Sequence, residues 1–375
     1  MSSAQPKKAS RGGPPAVRSS GTEPPAGGVA TIVDVARAAG VSISTVSRVL
    51  NANTQVDPRM AAKVIRAAQD LKYQPSRVAR SLRLRHNRVW AMVISDIRTG
   101  PFFADLVRGV EDVAYESGYS MFLCNADEDP LKEAAYLSLA VAENVAGVIL
   151  TPSGSETDLS LLMSAGIHVV LADRRLRDPR ADTVVADNVS GAEQAVGHLV
   201  SNGYSRIACI TGPLSTTTAS ERFLGYRNAL SHAGRPLDDA LVRVADFRES
   251  GGHLAMQQLL EESHRPDAVF VSNNRMAIGA LQAIDESGLT IPGDVGVVGY
   301  DDIAWVGLMR TPLTTVSSPA YDLGLVSGRL LLSRIEGFTG APRTVVLSPS
   351  LIVGASSAPK AITRRGPRRS GAVRT

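Results

Sequence analysis

Residues 31–51 of the chain are TIVDVARAAGVSISTVSRVLN, and residues 73–82 are YQPSRVARSL. In the first stretch, four apolar residues recur at the spacing of one helical face: Ile32, Val35, Ala36 and Ala39. Gly40 follows where a short helix needs a residue that can adopt positive φ, and Ser42 and Ser44 supply hydroxyls that cap a new helix. The pattern predicts a helix-turn-helix, in which the small Ala36 lets the two helices approach closely.

The second helix of this motif has an apolar side and a polar side. The inward residues are Val41, Val46, Val49 and Leu50, and the outward residues are Ile43, Ser44, Ser47 and Arg48. An outward arginine is well shaped to grip guanine with two hydrogen bonds, so Arg48 is a candidate base reader. Thr45 and Asn51 are short polar groups suited to phosphate oxygens. The same pattern also fits an ordinary amphipathic helix pair with a solvated polar face.

Charge separates this stretch from the rest of the chain. Residues 31–85 contain ten Lys and Arg against three acids, a net charge of +7. Residues 86–359 contain 20 basic residues against 32 acidic ones, a net charge of −12. A small basic module on an acidic body is the asymmetry expected of a nucleic-acid binder.

A second DNA-contacting segment is predicted after a third helix, which Asp57-Pro58 opens and Tyr73-Gln74-Pro75 ends. The sequence SRVARSL follows, with Ser76 as the cap of one or two helical turns. So short a helix is unstable alone in water, and we expect it to order only against DNA and a partner copy. Leu82 is then the candidate wedge in the minor groove. A plain linker with a chance helical pattern is the alternative.

These two stretches together resemble the headpiece and hinge of the LacI/GalR (lactose-repressor) family of bacterial transcription regulators. The resemblance implies that Ile43, Ser44 and Arg48 read bases, and that Thr45, Ser47 and Asn51 touch phosphates. The hinge residues that we take as candidate DNA contacts are Ser76, Arg77, Ala79, Arg80 and Leu82. Of these, Ala79 and Leu82 would enter the minor groove, whereas Arg80 lies at a position that varies between members and has no fixed role.

The ends of the chain differ in composition from its body. Residues 1–30 are mainly Pro, Gly, Ser and Ala, and we expect them to be disordered. Residues 356–375 are expected to form a second disordered tail, which is basic. We expect neither a secretory signal nor a membrane span. Cys124 and Cys209 lie apart in apolar runs, which argues against a zinc site or a disulfide and fits a reducing, cytoplasmic setting.

From Val89 onward, short apolar runs alternate with helical stretches. The predicted strands are 89–94, 119–124, 145–151, 167–172, 207–211, 268–272 and 295–300. Runs that are apolar at consecutive positions suit strands buried on both faces, and helices between them make parallel sheets. At 375 residues there are too many strands for one compact sheet, so two α/β lobes are expected.

The family resemblance continues through HLVSNGYSRIACITGP (198–213), GYDD (299–302) and TTVSSPAYDLG (314–324). It implies a periplasmic-binding-protein-like (type I) core behind an all-α helix-turn-helix headpiece. The expected divisions are a tail (1–30), the DNA-binding domain (31–75), the hinge and linker (76–87), the effector-binding and dimerisation core (88–355) and a tail (356–375). Within the core, we expect lobe one at about 88–186 and 319–348, and lobe two at about 188–317 and 350–355.

Ligands of parallel α/β sheets bind beyond the carboxyl ends of the strands, where loops from both lobes meet. This rule selects Asp96, Phe102, Phe103, Asp173-Arg174, the loop to Arg222, Phe247, Asn273-Asn274 and Asp301-Asp302. The family resemblance carries effector roles onto Phe102, Phe103, Asp173, Thr218, Arg222, Phe247, Asn273 and Asp301. Many relatives have Asn-Asp where this chain has Asn273-Asn274, so sugar specificity cannot simply be transferred. Alternatively, Asp96, Asp301 or Asp302 caps a helix and the phenylalanines belong to the core or a dimer contact.

The sequence therefore predicts a sequence-specific transcription regulator, most readily a repressor of a sugar or related metabolite operon. The expected partners are a pseudo-palindromic operator in double-stranded DNA, a sugar, polyol or nucleoside-like effector, and a second copy of the chain. No cofactor, metal or membrane partner is expected. An exported or soluble sugar-binding protein leaves the headpiece unexplained, and an enzyme lacks its motifs: there is no GxxxxGK[ST], HExxH or GxSxG.

Overall fold

A computed structural model describes residues 30–50, 56–73, 88–177, 180–303 and 310–359. The chain divides into two compact units, residues 1–85 and residues 86–375. None of the helices in the described ranges has the length and hydrophobicity that crossing a lipid bilayer requires.

The described residues of the first unit form three helices, α1 (Ile32–Ala39), α2 (Ile43–Leu50) and α3 (Pro58–Asp70). Helix α1 begins with a reciprocal cap between Thr31 and Asp34 and ends at Gly40, whose φ of 67° is left-handed. Asp57 caps α3 by accepting from the backbone N–H of Arg59 at 2.8 Å. The helices enclose a small core of Val35, Ala36, Ala39, Val46, Val64 and Ala67.

The second unit is built of twelve strands and eight helices within the described residues. The strands are β1 (Val89–Ile94), β2 (Ser120–Asn125), β3 (Gly147–Leu150), β4 (His168–Ala172), β5 (Asp182–Ala186), β6 (Ile207–Thr211), β7 (Val242–Val244), β8 (Ala268–Val271), β9 (Gly296–Tyr300), β10 (Thr314–Ser317), β11 (Thr344–Leu347) and β12 (Ser350–Ile352). The helices are α4 (Pro101–Glu116), α5 (Pro130–Ala142), α6 (Ser160–Ser164), α7 (Asn188–Ser201), α8 (Thr217–His232), α9 (Glu249–Leu260), α10 (Asn274–Glu286) and α11 (Ala320–Ile335).

The strands form two six-stranded sheets of matching order, β11-β5-β4-β3-β1-β2 and β12-β10-β9-β8-β6-β7. We call the parts of the chain around the first and second sheet lobe one and lobe two. All strand pairs are parallel except that of β10 with β12, which is antiparallel and departs from the expected all-parallel pattern. The chain passes between the sheets three times, between β5 and β6, between β10 and β11, and between β11 and β12.

Both faces of each sheet are covered by helices, which is why the central strands are apolar at consecutive positions. In lobe one, α4 and α11 pack on one face and α5 and α6 on the other. In lobe two, α9 and α10 pack on one face and α7 and α8 on the other. The loops that follow the carboxyl ends of the parallel strands, with the first turns of the helices after them, carry the candidate site.

Candidate functional site

The turn between α1 and α2 sets which side of α2 faces outward. Ser42 caps α2: its hydroxyl accepts from the backbone N–H of Thr45 at 3.2 Å. Val46 is buried, whereas Ile43, Ser44 and Arg48 are exposed on the opposite side. This exposed face combines an apolar, a hydroxyl and a guanidinium group, which suits contact with base edges in a major groove.

Of the other predicted DNA contacts, only Thr45 and Ser47 lie within the described residues. Thr45 and Ser47 are half-buried at the margin of the exposed face of α2. Asn51, Ser76, Arg77, Ala79, Arg80 and Leu82 lie outside the described residues.

A cavity of about 30 Å³ lies between the loops that follow strands of the two lobes. It is lined by Phe102, Phe103, Glu128, Asp173, Arg174, Thr218, Arg222, Phe247, Asn273 and Asp301. The structure thus brings together all eight residues predicted for the effector site and adds Glu128 and Arg174. Polar groups converging with aromatic rings in one inter-lobe cavity are typical of a small-molecule site.

Arg222 and Asp301 form a buried ion pair in lobe two. The Arg222 Nη1 lies 3.1 Å from Asp301 Oδ2, and the two side chains are only 4% and 5% exposed. Nη1 also donates to the carbonyl of Ser272 at 2.7 Å, and the guanidinium lies 3.7 Å from the centre of the Tyr300 ring. Asp301 accepts from Ser318 through its other oxygen at 2.8 Å. Within the described residues, Asp301 is therefore an ion-pair partner of Arg222.

Asp173 occupies the corresponding position in lobe one. It follows β4 as Asp301 follows β9, and both strands are third in the order of their sheets. Burial raises the pKa of the Asp173 carboxyl to about 6, although the nearby guanidinium groups of Arg174 and Arg222 oppose the rise. The carboxylates of Asp301 and Glu128 add to it. Asp173 is thus a buried acid whose pKa lies well above its ordinary value.

Arg174 and Glu128 form a second ion pair at the cavity. Two guanidinium nitrogens of Arg174 donate to the two carboxylate oxygens of Glu128 at 2.7 and 2.6 Å. Arg174 also donates to the carbonyl of Pro152 at 3.0 Å, and its guanidinium lies 5.5 Å from the centre of the Phe247 ring in lobe two. The strand-end rule selects Arg174, although no effector role was predicted for it. No pattern in the sequence singles out Glu128.

Backbone strain is concentrated at this cavity. Of the seven non-glycine residues with positive φ in the described parts, four line it: Glu128, Asp173, Phe247 and Asp301. Aspartate tolerates this region, but Phe247 at a φ of 62° is an outlier for a bulky side chain. Gly212 makes room for the Phe247 ring, since a Cβ there would lie 2.2 Å from it. Strained residues of this kind cluster at ligand sites.

Asn273 and Asn274 have separate structural roles. The Asn273 side chain caps α10 by accepting from the backbone N–H of Met276 at 2.9 Å. Asn274 donates to the carbonyl of Asp302 at 3.0 Å. The Asn273 Nδ2 also donates to Asn274 Oδ1 at 3.5 Å, so at the cavity it can still offer one N–H group, while its oxygen is used by the helix.

Several buried polar atoms near the strand ends have no hydrogen-bond partner within the described protein. They are the hydroxyl oxygens of Ser95, Thr151, Ser153, Ser272 and Tyr300 and the Nε of Arg174. Of these residues, only Arg174 lines the cavity, and the Tyr300 hydroxyl lies beside Gly191 of α7.

A larger groove of about 620 Å³ adjoins the cavity at Phe247. It includes Asp96, which the strand-end rule also selects. Asp96 instead caps the short 3-10 turn Ile97–Thr99 and pairs with the Arg98 Nε at 3.0 Å. Within the described residues, no group of three or more His, Cys, Asp or Glu side chains is placed to hold a metal ion.

Comparison with known proteins assigns both units. Residues 31–76 match the model for bacterial regulatory proteins of the lacI family. Residues 88–353 match the model for periplasmic binding proteins and the sugar binding domain of the LacI family. The ribose operon repressor of Escherichia coli (strain K12) is 38% identical over 326 residues, which cover 86% of this chain and 98% of that protein.

Solved structures show the same similarity. The lac repressor dimer bound to operator and the anti-inducer ONPF superposes with a TM-score of 0.79 at 28% identity, covering 88% of this chain and 100% of that one. A LacI family regulator from Enterococcus faecium with bound ribose gives a TM-score of 0.66 at 29% identity, covering 72% of this chain and 99% of that one. The chain therefore belongs to the LacI family of bacterial regulatory proteins, and it is an effector-responsive, DNA-binding transcriptional repressor, not an enzyme.

Proposed function

We propose that this repressor responds to a small monosaccharide, an aldopentose such as D-ribose. The observation that carries the proposal is one small cavity where three carboxyl groups, two guanidinium groups and an amide converge with three phenylalanine rings. Such polar groups bind several hydroxyls at once, while the rings cover the apolar faces of a sugar. The ribose operon repressor and the ribose-bound regulator among the relatives favour this class of effector.

The proposed roles follow from the position of each side chain. Asp173 and Asp301 accept from sugar hydroxyls, whereas Arg174, Arg222 and Asn273 donate to sugar oxygens. Phe102, Phe103 and Phe247 flank the ring, and Thr218 adds a hydroxyl from the first turn of α8. A cavity of about 30 Å³ is far smaller than the roughly 300 Å³ of an ordinary ligand pocket, so we expect the lobes to separate to admit the effector.

On the DNA side, Ile43, Ser44 and Arg48 read bases and Thr45 and Ser47 contact phosphates. The roles given to Asn51 and to the hinge residues Ser76, Arg77, Ala79, Arg80 and Leu82 stay predictions. Two copies of the chain bind a pseudo-palindromic operator, because a two-fold protein matches a two-fold site. The lac repressor dimer on its operator supports this arrangement, and the protein acts in the cytoplasm, where the operator is.

The division of the chain is also proposed on this basis. The headpiece comprises residues 31–75 and the hinge and linker residues 76–87, with the core at 88–355 and tails at 1–30 and 356–375. The break between the compact units at Arg85 and His86 supports the boundary between hinge and core. The two sheets support lobe one at about 88–186 and 319–348 and lobe two at about 188–317 and 350–355.

Titration calorimetry with D-ribose tests the proposed effector. We expect D-ribose to bind, and 2-deoxy-D-ribose to bind at least about tenfold more weakly, because a missing hydroxyl leaves buried polar groups unpaired. Operator affinity, measured by fluorescence anisotropy, should change when D-ribose is added. Binding of a purine base but of no pentose would assign the cavity to a nucleobase and overturn the proposal.

The pH dependence of sugar binding tests Asp173. The pKa of Asp173 in the folded protein is about 6, above the ordinary 3.8, so the folded state binds the proton more tightly than the unfolded chain does. The contribution of Asp173 to the free energy of unfolding is therefore fully present below about pH 4 and is lost as the pH rises through 6. Sugar hydroxyls favour the ionised acceptor, so D-ribose affinity should be about tenfold lower at pH 5 than at pH 8. Asp173→Asn should remove this dependence. A wild-type affinity that is constant from pH 5 to pH 8 would contradict the assigned role.

A further inference from the structure

An ion pair joins the two lobes beside the cavity. Arg175, in the loop after β4, places its Nε 3.3 Å from Glu221 Oε1 on α8 of lobe two. The backbone N–H of Arg175 also donates to the hydroxyl of Thr217, at the start of α8, at 3.1 Å. The pair is only half-buried, with the two side chains 34% and 26% exposed, so solvent and salt reach it.

Glu221 is also connected to the interior of the site through Asn188. Asn188, the first residue of α7, is 1% exposed and uses both ends of its amide. Its Nδ2 donates to Glu221 Oε2 at 3.0 Å, and its Oδ1 accepts from Arg222 Nε at 2.9 Å. If the Asn188 amide were flipped, its N–H group would face the N–H of Arg222 and its oxygen would face the Glu221 carboxylate. The two neighbours therefore fix the orientation of the amide.

The same arginine forms the floor of the effector cavity. Arg222 uses Nε for Asn188 and Nη1 for Asp301 and for the carbonyl of Ser272. A ligand that contacts this guanidinium and changes its position therefore also changes the position of the Asn188 amide. Since Asn188 holds one oxygen of Glu221, the other oxygen is held toward Arg175.

We propose that Asn188 and Glu221 are positioning residues that link effector contact at Arg222 to the ion pair across the cleft, and so favour the closed arrangement of the lobes. The proposal rests on the proposed effector function of the cavity. When an effector fixes Arg222, it also holds Glu221 in the position that pairs with Arg175. When the lobes close and that pair forms, Arg222 is in turn held in the position that contacts the effector. Coupling of this kind is reciprocal by thermodynamic necessity.

Glu221→Gln tests the link with a neutral side chain of the same shape. We expect the dissociation constant for D-ribose to rise about two- to fivefold, the range for a partly exposed ion pair. Arg175→Gln should have a similar effect, and the double variant should be no weaker than the weaker single variant. Glu156→Gln is the matched control, because Glu156 pairs with Arg177 at 2.9 Å within lobe one and both are largely exposed.

Salt provides a readout that a merely structural role would not change. D-ribose is uncharged, so its contacts with buried groups are little affected by ionic strength, whereas the half-buried pair is screened. Wild-type affinity should therefore fall between 50 and 500 mM salt, and the affinity of Glu221→Gln should not. If the wild type binds D-ribose and the variants match it at both salt concentrations, the inference is wrong while the proposed function stands.

Hydrogen exchange tests the link without any effector. In the unliganded full-length protein, the amide of Arg175 should exchange several times faster in Glu221→Gln than in the wild type, because its contact with Thr217 depends on closed lobes. Asn188→Leu should have the same effect. Unchanged exchange in both variants overturns the inference, whether or not a pentose binds. Failure of the wild type to bind any pentose, with faster exchange in the variants, overturns only the proposed effector.

Discussion

Replacing Arg222 with leucine is expected to abolish D-ribose binding and to lower the free energy of unfolding by about 3–5 kcal/mol. The variant removes the donor at the floor of the cavity and leaves the carboxylate of Asp301 buried opposite an apolar side chain. The carbonyl of Ser272 and the amide of Asn188 each lose a donor as well. Urea denaturation and titration calorimetry measure the two effects.

A second substitution separates the loss of stability from the loss of binding. Combining Arg222→Met with Asp301→Leu removes both charges, and replacement of a buried ion pair by apolar residues is often neutral. The double variant should therefore regain most of the stability but none of the D-ribose affinity, and its operator affinity should not respond to the sugar. Arg177→Leu, at an arginine that is 80% exposed, is the control. Binding of D-ribose to Arg222→Leu within a few-fold of wild type would show that this guanidinium is not the effector's anchor.

The site was predictable to the extent that it follows from strand ends. Asp173, Asn273 and Asp301 come directly after apolar runs, so parallel strands necessarily bring them to the same edges. All eight predicted residues lie around one cavity, and their contact with effector stays a prediction. Glu128 could not be predicted because it lies in a turn after an edge strand, where the sequence has no hydrophobic periodicity. Its backbone there is left-handed. Its place at the cavity depends on Arg174, 46 residues away along the chain.

The fold was predictable where a buried strand is a long, continuous apolar run in the sequence. The apolar run Val89–Ile94 is one of the central strands, and its bounds match the prediction. Four others do not stand out as long apolar runs: Asp182–Ala186, Val242–Val244, Thr314–Ser317 and Thr344–Leu347, although the choice of Phe247 already assumed a strand just before it. Arg243 interrupts the edge strand Val242–Val244, and the other edge strand, Thr344–Leu347, is short and half-exposed. Strand β10 begins with threonines, and the Thr314 hydroxyl pairs with Gly354 some 40 residues later, which no local pattern shows.

The antiparallel strand β12 has a similar explanation. A strand's direction in a sheet is set by the route by which the chain arrives, and β12 follows β11 of the other lobe after only two residues. The segment after β12 is then held in lobe two, since the hydroxyl of Ser356 accepts from the backbone N–H of Thr314 at 2.8 Å and donates to the carbonyl of Val297. Sequence periodicity predicts neither the crossing between the lobes nor the hydrogen bonds of Ser356.

The second large effect concerns DNA. Arg48→Ala should weaken operator binding by about 1–3 kcal/mol, the value of one bidentate contact with guanine. Arg48 is exposed on α2 beside Ile43 and Ser44, with Val46 holding the helix on the core of the headpiece. Because the substitution leaves that core intact, the headpiece should fold as before. Fluorescence anisotropy with operator and with random duplex, each at several salt concentrations, measures the effect.

Two controls decide whether Arg48 reads a base or only attracts phosphate. Arg48→Lys keeps the charge but lacks the planar fork, so it should lose discrimination at one operator base pair and keep the wild-type salt dependence. Arg59→Ala removes another exposed charge, from the first turn of α3, and any loss there should be similar for operator and random duplex. Should Arg48→Ala weaken both duplexes equally, the guanidinium contacts the DNA backbone and sequence is read by the other exposed residues of α2.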